Sequence, residues 1–480
     1  MYLGLTHSYA ALPEQFHLAR RPTPVQAPRC VVFNRPLALA LGLDVDAVEG
    51  QAAALFSGNV LPGDAQPLAM AYAGHQFGHF SPRLGDGRAI LLGERRCPDG
   101  LLRDVQLKGA GLTPFSRGGD GRAALGPMLR EYLLSEAMHA LGIPTTRSLA
   151  VVATGEAVMR DGPLPGAILT RIAGSHVRVG TFQYFAAQGD VDALRQLLDF
   201  VIDRHYPDAR QADNPALAVL QAVVDRQAAL LADWLRVGFI HGVMNTDNMA
   251  ISGETIDYGP CAFLDAYHPD QVFSAIDQQG RYAYANQPGI AQWNLTRFAE
   301  TLLPLMDDDS ERAIQKASEV IQPFLGDFET RLVDHLRAKI GLVTREPDDG
   351  ALLNRLLGAM QAQGADFTVS FRRLADAAEQ GLCDVAGLGA WLPQWQARLQ
   401  RDPQPAAERA AAMRRVNPAY IPRNHRVEAA LQAATDDGDF RPFEQLLAIL
   451  QRPYDEQPEV VAYQQPPAAH ERVLNTFCGT

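Results

Sequence analysis

Residues 241–249 read His-Gly-Val-Met-Asn-Thr-Asp-Asn-Met, and Asp-Tyr-Gly follows at 257–259. An Asn closing such a loop and an Asp a short hairpin later are the pair that holds a divalent metal against nucleotide phosphates. Asn248 and Asp257 fit that pair. Their amide and carboxylate oxygens suit a hard cation, Mg²⁺ or Mn²⁺. Segments 249–251 and 255–257, joined by a turn at Gly253, are predicted as a β-hairpin, which would set the two ligands at its two bases.

The loop departs from the protein-kinase pattern at one place. Kinases carry the base Asp two residues after the His, and here that residue is Val243, which cannot take a proton. Asp247 is the only acid nearby. Either it has taken over as proton acceptor, or the loop belongs to a kinase-like protein without kinase chemistry.

A phosphate-binding side is legible further upstream. Lys108 ends a predicted strand on its polar face and runs into Gly109-Ala-Gly111. A strand lysine in that place reaches phosphates as a point charge and pairs with a helix Glu. Glu131 on the next predicted helix is the candidate partner, with Glu136 as the alternative. The string Gly-Asp-Gly-Arg-Ala occurs twice, at 85–89 and 119–123. Gly85 and Gly87 would let backbone N–H groups approach a phosphate, and Arg88 adds a bidentate donor. Asp120 and Gly121 of the second copy are candidates for the same nucleotide. Arg171 and Arg178, seven apart, reach one site if the chain curls between them.

The elements that must position these groups follow from periodicity. Segments 88–94, 104–108 and 167–172 read as strands; in the second, Val105 and Leu107 face one way and Asp104, Gln106 and Lys108 the other. A helix is predicted at about 127–141, with Pro127 in its first turn and Gly142 at its end. Leu194, Leu197, Leu198, Val201 and Ile202 recur at helical spacing, and a longer helix carries Leu217 to Leu235 and stops at Gly238. Beyond about 300 the chain is Ala- and Leu-rich and helical. Three regions result: 1–170 with strands and glycine turns, 171–300 with the metal loop, and 301–480, helical to a terminal tail. Mixed β/α followed by helix is the order of a two-lobed, kinase-like α+β fold, with a mixed β/α N-lobe and a mainly helical, extended C-lobe.

Bulk properties narrow the classes. The 480 residues are 47% hydrophobic and 20% charged, a globular profile. A net charge of −12 argues against a general nucleic-acid binder, though not against a local basic pocket. No stretch reads as a membrane span, and the first residues lack a charged, then apolar, leader, so a cytoplasmic protein is expected. The five cysteines (Cys30, Cys97, Cys261, Cys383 and Cys478) show neither metal spacing nor a disulfide framework.

Taken in order, GHQFGHFSPRLGDGRA (74–89), QLKGAGLTPFSRGGDGRAAL (106–125), HGVMNTDNM, DYGP (257–260) and NPAYIPRNH (417–425) resemble the selenoprotein O family from about residue 5 to the end. Arg83, where Gln is expected, is one small departure. The resemblance implies a kinase-like fold that transfers AMP from ATP to Ser, Thr or Tyr hydroxyls of proteins, with the nucleotide flipped so that the α-phosphate faces the acceptor. It implies that Gly85, Gly87, Arg88, Lys108, Asp120, Gly121, Arg171, Arg178 and Asp257 bind ATP. Asp247 would be the proton acceptor, and Asn248 and Asp257 the metal ligands. Eukaryotic members carry selenocysteine near the C-terminus, and Cys478 looks like its sulfur counterpart. That hints at redox-related protein partners and at a regulatory disulfide, with Cys261 as its possible intramolecular partner. A phosphotransferase and a silent ATP-binding scaffold are the competing readings.

Overall fold

The computed structural model describes residues 1–381, 385 and 387–477. Its N-terminal part is built on a nine-stranded sheet. In spatial order the main path runs His17–Ala19, Leu68–Met70, Ala89–Arg96, Leu102–Lys108, Pro163–Ala173, Arg147–Met159 and Arg29–Phe33. Each neighbouring pair is antiparallel. Off this path, two-residue strands at Leu5–Thr6 and Ala123–Ala124 pair with Ala89–Arg96 and Pro163–Ala173.

Alternation along the Lys108 strand holds, but its polar face is not solvated. Val105 and Leu107 pack with Ile90, Leu92, Val152 and Ile168 over Leu55 and Phe56. The opposite face carries Asp104, Gln106 and Lys108, all buried. The helix Leu125–Ala140 lies over that second face, where Leu129 and Leu133 meet Val151 and Leu169. Both faces of the sheet are therefore covered, and polar residues trapped beneath the helix must find partners there.

The long apolar helix spans Pro215–Arg236, started by the Asn214 side chain on the Leu217 amide and ended at Gly238 with φ +78°. It corrects the expectation that no stretch suits a membrane: by length and hydropathy alone it is long and apolar enough to cross one. Here it is the central core helix of the C-terminal lobe, with Leu220, Val224, Leu231 and Trp234 buried against Phe239, Phe263 and Phe298.

The hairpin predicted across 249–257 does not form as a ladder. The Ile251 amide donates to the Val177 carbonyl and the Val179 amide to Met249, while Thr255 pairs with 144–146 instead. Segments this short cannot satisfy their own backbone groups, so flanking chain supplies the partners. The turn at Gly253 is present.

Helices continue after residue 306, and the last of them return to the N-terminal lobe. Asn424–Asp436 and Arg441–Leu450 bring Val427, Leu431, Phe443 and Leu446 against Leu129, Tyr132 and Leu133 of the Leu125–Ala140 helix. The whole is the two-lobed, kinase-like α+β fold, with the C-terminal chain wrapped back onto the N-lobe helix.

Candidate active site

Between the lobes lies a cavity of about 610 Å³. Its wall contains each residue the sequence assigned to nucleotide or metal: Gly85, Gly87, Arg88, Lys108, Asp120, Gly121, Arg171, Arg178, Asp247, Asn248 and Asp257. Glu131 lines it too.

The cavity's charge is organised around two carboxylates. Lys108 Nζ lies 2.6 Å from Glu131 Oε2 and 2.7 Å from Asp257 Oδ1. Arg171 Nη2 lies 2.5 Å from Glu131 Oε1 and 2.6 Å from Asp257 Oδ1. Arg178 Nη1 adds a longer bond of 3.3 Å to Asp257 Oδ2 and donates to the Asp247 carbonyl at 2.9 Å. Three cations thus face Glu131 and Asp257, with Asp86 a more distant partner of Arg178 at 3.9 Å. Burial opposes ionisation of both carboxyls, but the neighbouring arginines and lysine outweigh it: Glu131 is held below its ordinary value and Asp257 well below.

Local structure explains this convergence. Lys108 and Arg171 stand on adjacent antiparallel strands, with Gln106 opposite Arg171 and Lys108 opposite Leu169, so both side chains share the face beneath the helix. Glu131 comes down from that helix. Arg178 caps the helix Val179–Ala186, its amide bonded to Thr181 Oγ1, and its guanidinium lies over the Tyr72 ring at 4.5 Å. Asp257 sits at φ +64°, a conformation Asp tolerates better than most residues. Glu136, the alternative partner for Lys108, instead receives Arg147 and the Ser148 amide.

Asp247 is buried, and burial raises its carboxyl to about 6. Gln76 Nε2 donates weakly to Oδ2 at 3.4 Å, while among the described residues no donor reaches Oδ1. A Cβ at Gly74 would stand 2.7 Å from Oδ1, so only glycine lets the carboxylate lie there. Val243 also lines the cavity, at the position where a kinase has its acid. Asn248 donates Nδ2 to the Val243 carbonyl at 2.9 Å, an orientation in which its amide oxygen could hold a metal. No cluster of three or more His, Cys, Asp or Glu side chains suits a metal among the described residues. One amide oxygen and one carboxylate still fit Mg²⁺, which keeps waters and takes most other ligands from phosphates.

The glycine turns differ from expectation. Gly85 has φ +65°, and a Cβ there would strike the Phe115 ring at 2.2 Å. Its amide, however, donates to the Tyr72 carbonyl, and that of Gly87 donates to Gly85. These glycines let the chain pass close to the cavity without offering it free N–H groups. Asp120 is on the rim, paired with Arg160 at 2.8 Å, and that bond lowers its carboxyl below the ordinary value.

Sequence reasoning passed over Asp86, Tyr72, Gln76 and Arg130. Asp86 is buried, accepts from the Met70 amide and Gln106, and burial raises it to about 6. The repeated Gly-Asp-Gly string contained the signal, but burial is not visible in a string. Cys261 is buried, with Sγ 3.4 Å from the Tyr258 carbonyl. Cys478 lies outside the described residues.

Residues 2–451 match the family model described as Protein adenylyltransferase SelO. A protein of Rhizobium etli (strain CIAT 652) called Protein nucleotidyltransferase YdiU is 62% identical over 483 residues, covering 99% of this chain and 97% of its own. Proteins of the same name from Bradyrhizobium sp. (strain BTAi1) and Agrobacterium fabrum are 60% and 58% identical, covering 100% of both chains and 99% of both chains respectively. The chain therefore belongs to the SelO family of protein adenylyltransferases and is an enzyme of the nucleotidyltransferase class.

Proposed function

We propose that this enzyme transfers AMP from ATP to Ser, Thr or Tyr hydroxyls of protein acceptors and releases pyrophosphate. The observation that carries this reading is the placement of its acid. The cavity has Val243 where a kinase has its base, and a buried carboxylate, Asp247, four residues further along the same loop. Lys108, Arg171 and Arg178 supply the positive charge that an inverted triphosphate needs, with Arg88, Gly85, Gly87, Asp120 and Gly121 around the rest of the nucleotide. Asn248 and Asp257 would hold Mg²⁺ or Mn²⁺, which neutralises phosphate charge when bound.

In the reaction the acceptor oxygen bonds to the α-phosphorus as the bond to the bridging oxygen breaks. The hydroxyl proton passes to the Asp247 carboxylate, and pyrophosphate carries off the electron pair. Arg171, Arg178 and Lys108 stabilise the charge developing on the leaving group. To hold the metal, Asp257 would give up its contacts with Lys108, Arg171 and Arg178, which would then be available to the phosphates.

Two labels test the reading. The protein is incubated with metal, an acceptor protein and ATP labelled at the α or the γ phosphate, then weighed intact. Label from α alone, with the mass of AMP, is expected; label from γ alone would make it a kinase and overturn the proposal. Redox control through Cys261 and Cys478 belongs to the same reading, supported by Thr476 Oγ1 bonding the Pro260 carbonyl next to Cys261. Cys478 remaining a free thiol under oxidant, with activity unchanged, would remove that control.

A further inference from the structure

We infer that Arg130 is a positioning residue that locks the Glu131 helix onto the chain following Asp257, and that the C-terminal helices brace this lock. Arg130 is 5% exposed and uses all three guanidinium nitrogens. Nε donates to the Gly259 carbonyl at 3.1 Å and Nη2 to the Cys261 carbonyl at 2.6 Å. Nη1 pairs with Glu428 of the Asn424–Asp436 helix at 2.6 Å. The next residue, Glu131, holds Lys108 and Arg171. One helical turn therefore fixes the phosphate-side cations and the metal-side segment together.

The same segment is gripped again downstream. Arg423, 1% exposed, pairs with Asp265 at 2.6 Å and with Asp366 at 2.7 Å. Asn424 Nδ2 donates to the Phe263 carbonyl at 3.1 Å. Both residues lie in the Asn-Pro-Ala-Tyr-Ile-Pro-Arg-Asn-His string, which had no assigned role. Residues 259–265 are thus held at four points by side chains from two distant parts of the sequence. Asp257, two residues before them, adopts φ +64°, and a backbone in that region persists only when its surroundings over-determine it.

In kinases the lysine–glutamate pair and the metal aspartate must both be in place, and their placement is what activation controls. Here side-chain contacts from the Leu125–Ala140 helix and the Asn424–Asp436 helix hold both in place.

Hydrogen exchange and kinetics on the full-length protein test this. In Arg130→Ala, amides of 257–267 should exchange roughly tenfold faster or more, while the helix 215–236 keeps its protection. Transfer at saturating ATP should fall at least ~10-fold with KM for ATP within about twofold, because misplacement lowers the chemical step. Arg130→Lys should fall between, since one ammonium cannot span two carbonyls and a carboxylate. Folded Arg130→Ala with unchanged exchange and rate overturns the inference, as does faster exchange spread evenly over the molecule. If Arg130→Ala does not fold, Glu428→Gln decides: faster exchange confined to 257–267 supports the brace, and none refutes it. The rate arm rests on the proposed AMP transfer; the exchange arm does not, so wild-type protein without transfer would sink that reading and leave the lock testable.

Discussion

Replacing Asp257 by Asn should separate nucleotide binding from turnover in opposite directions. Asn tolerates the φ of +64° at this position, so the change removes charge with little backbone strain. Lys108, Arg171 and Arg178 surround Asp257 at 2.7, 2.6 and 3.3 Å, and Glu131 is the other carboxylate among them. Asp86 lies 3.9 Å from Arg178, and Asn makes the whole cluster more positive by one unit. A unit charge at ~4 Å interacts by about 1 kcal/mol in water and about 4 kcal/mol near a protein surface. The cavity is open, so about 1–2 kcal/mol is expected, or roughly tenfold tighter binding of metal-free ATP. Calorimetric titration of ATP in EDTA reads that directly. Turnover should fall about 10³-fold, because the metal loses its carboxylate and the transition state loses preorganised charge; α-labelled AMP transfer with Mg²⁺ measures it. Weaker ATP binding in EDTA would refute the electrostatic argument, and robust transfer would refute the metal assignment.

Three other outcomes follow from the same cavity. Burial raises Asp247 to about 6, with Asp257 adding to the rise and Arg178 and Gln76 opposing it, while Asp86, also near 6, shares Arg178. A proton acceptor must be ionised, so transfer should fall as pH drops through about 6; a rate flat from pH 5 to 8 would exclude Asp247 as the acceptor. The stability sign is opposite. A carboxyl raised on folding from 3.8 to about 6 costs stability that builds as pH rises from about 4 and is complete above about 6, so Asp247→Asn should stabilise at pH 8 by on the order of 2 kcal/mol, with the gain vanishing only as pH falls to about 4 in paired denaturant melts. Glu131→Gln leaves Lys108 and Arg171 with Asp257 alone, in a pocket where Glu131 and Arg171 are nearly fully buried. It should cost about 3 kcal/mol in urea unfolding, because removing one partner strands buried charge. A loss under 0.5 kcal/mol would show that the pair is not coupled as described.

Much of the cavity's charged wall was legible in local sequence pattern, though Tyr72, Asp86 and Arg130 were not. Strand alternation put Lys108 on a polar face, helix spacing offered Glu131, and the loop composition marked Asp247, Asn248 and Asp257. These signals are local, and local geometry is what periodicity and turn chemistry specify. The long helix at 215–236 and the strands at 89–96 and 102–108 were legible for the same reason.

Only tertiary structure decided the rest. Whether Glu131 or Glu136 meets Lys108 depends on how the helix lies over the sheet, and the answer came from Arg147 taking Glu136. The 249–257 hairpin failed because distant backbone outcompeted it for hydrogen bonds. The glycine amides were already taken by neighbouring carbonyls. Burial of Asp86 and Asp247, which moves both toward neutral pH, depends on what the two lobes bring over them. The grip of Arg130 and Arg423 on residues 259–265 joins positions 129 and 158 apart in the chain. A pattern in one segment carries no information about which far segment will desolvate it or pair with it. The identities of these charged groups were therefore written in the sequence, and their energies were set by the fold.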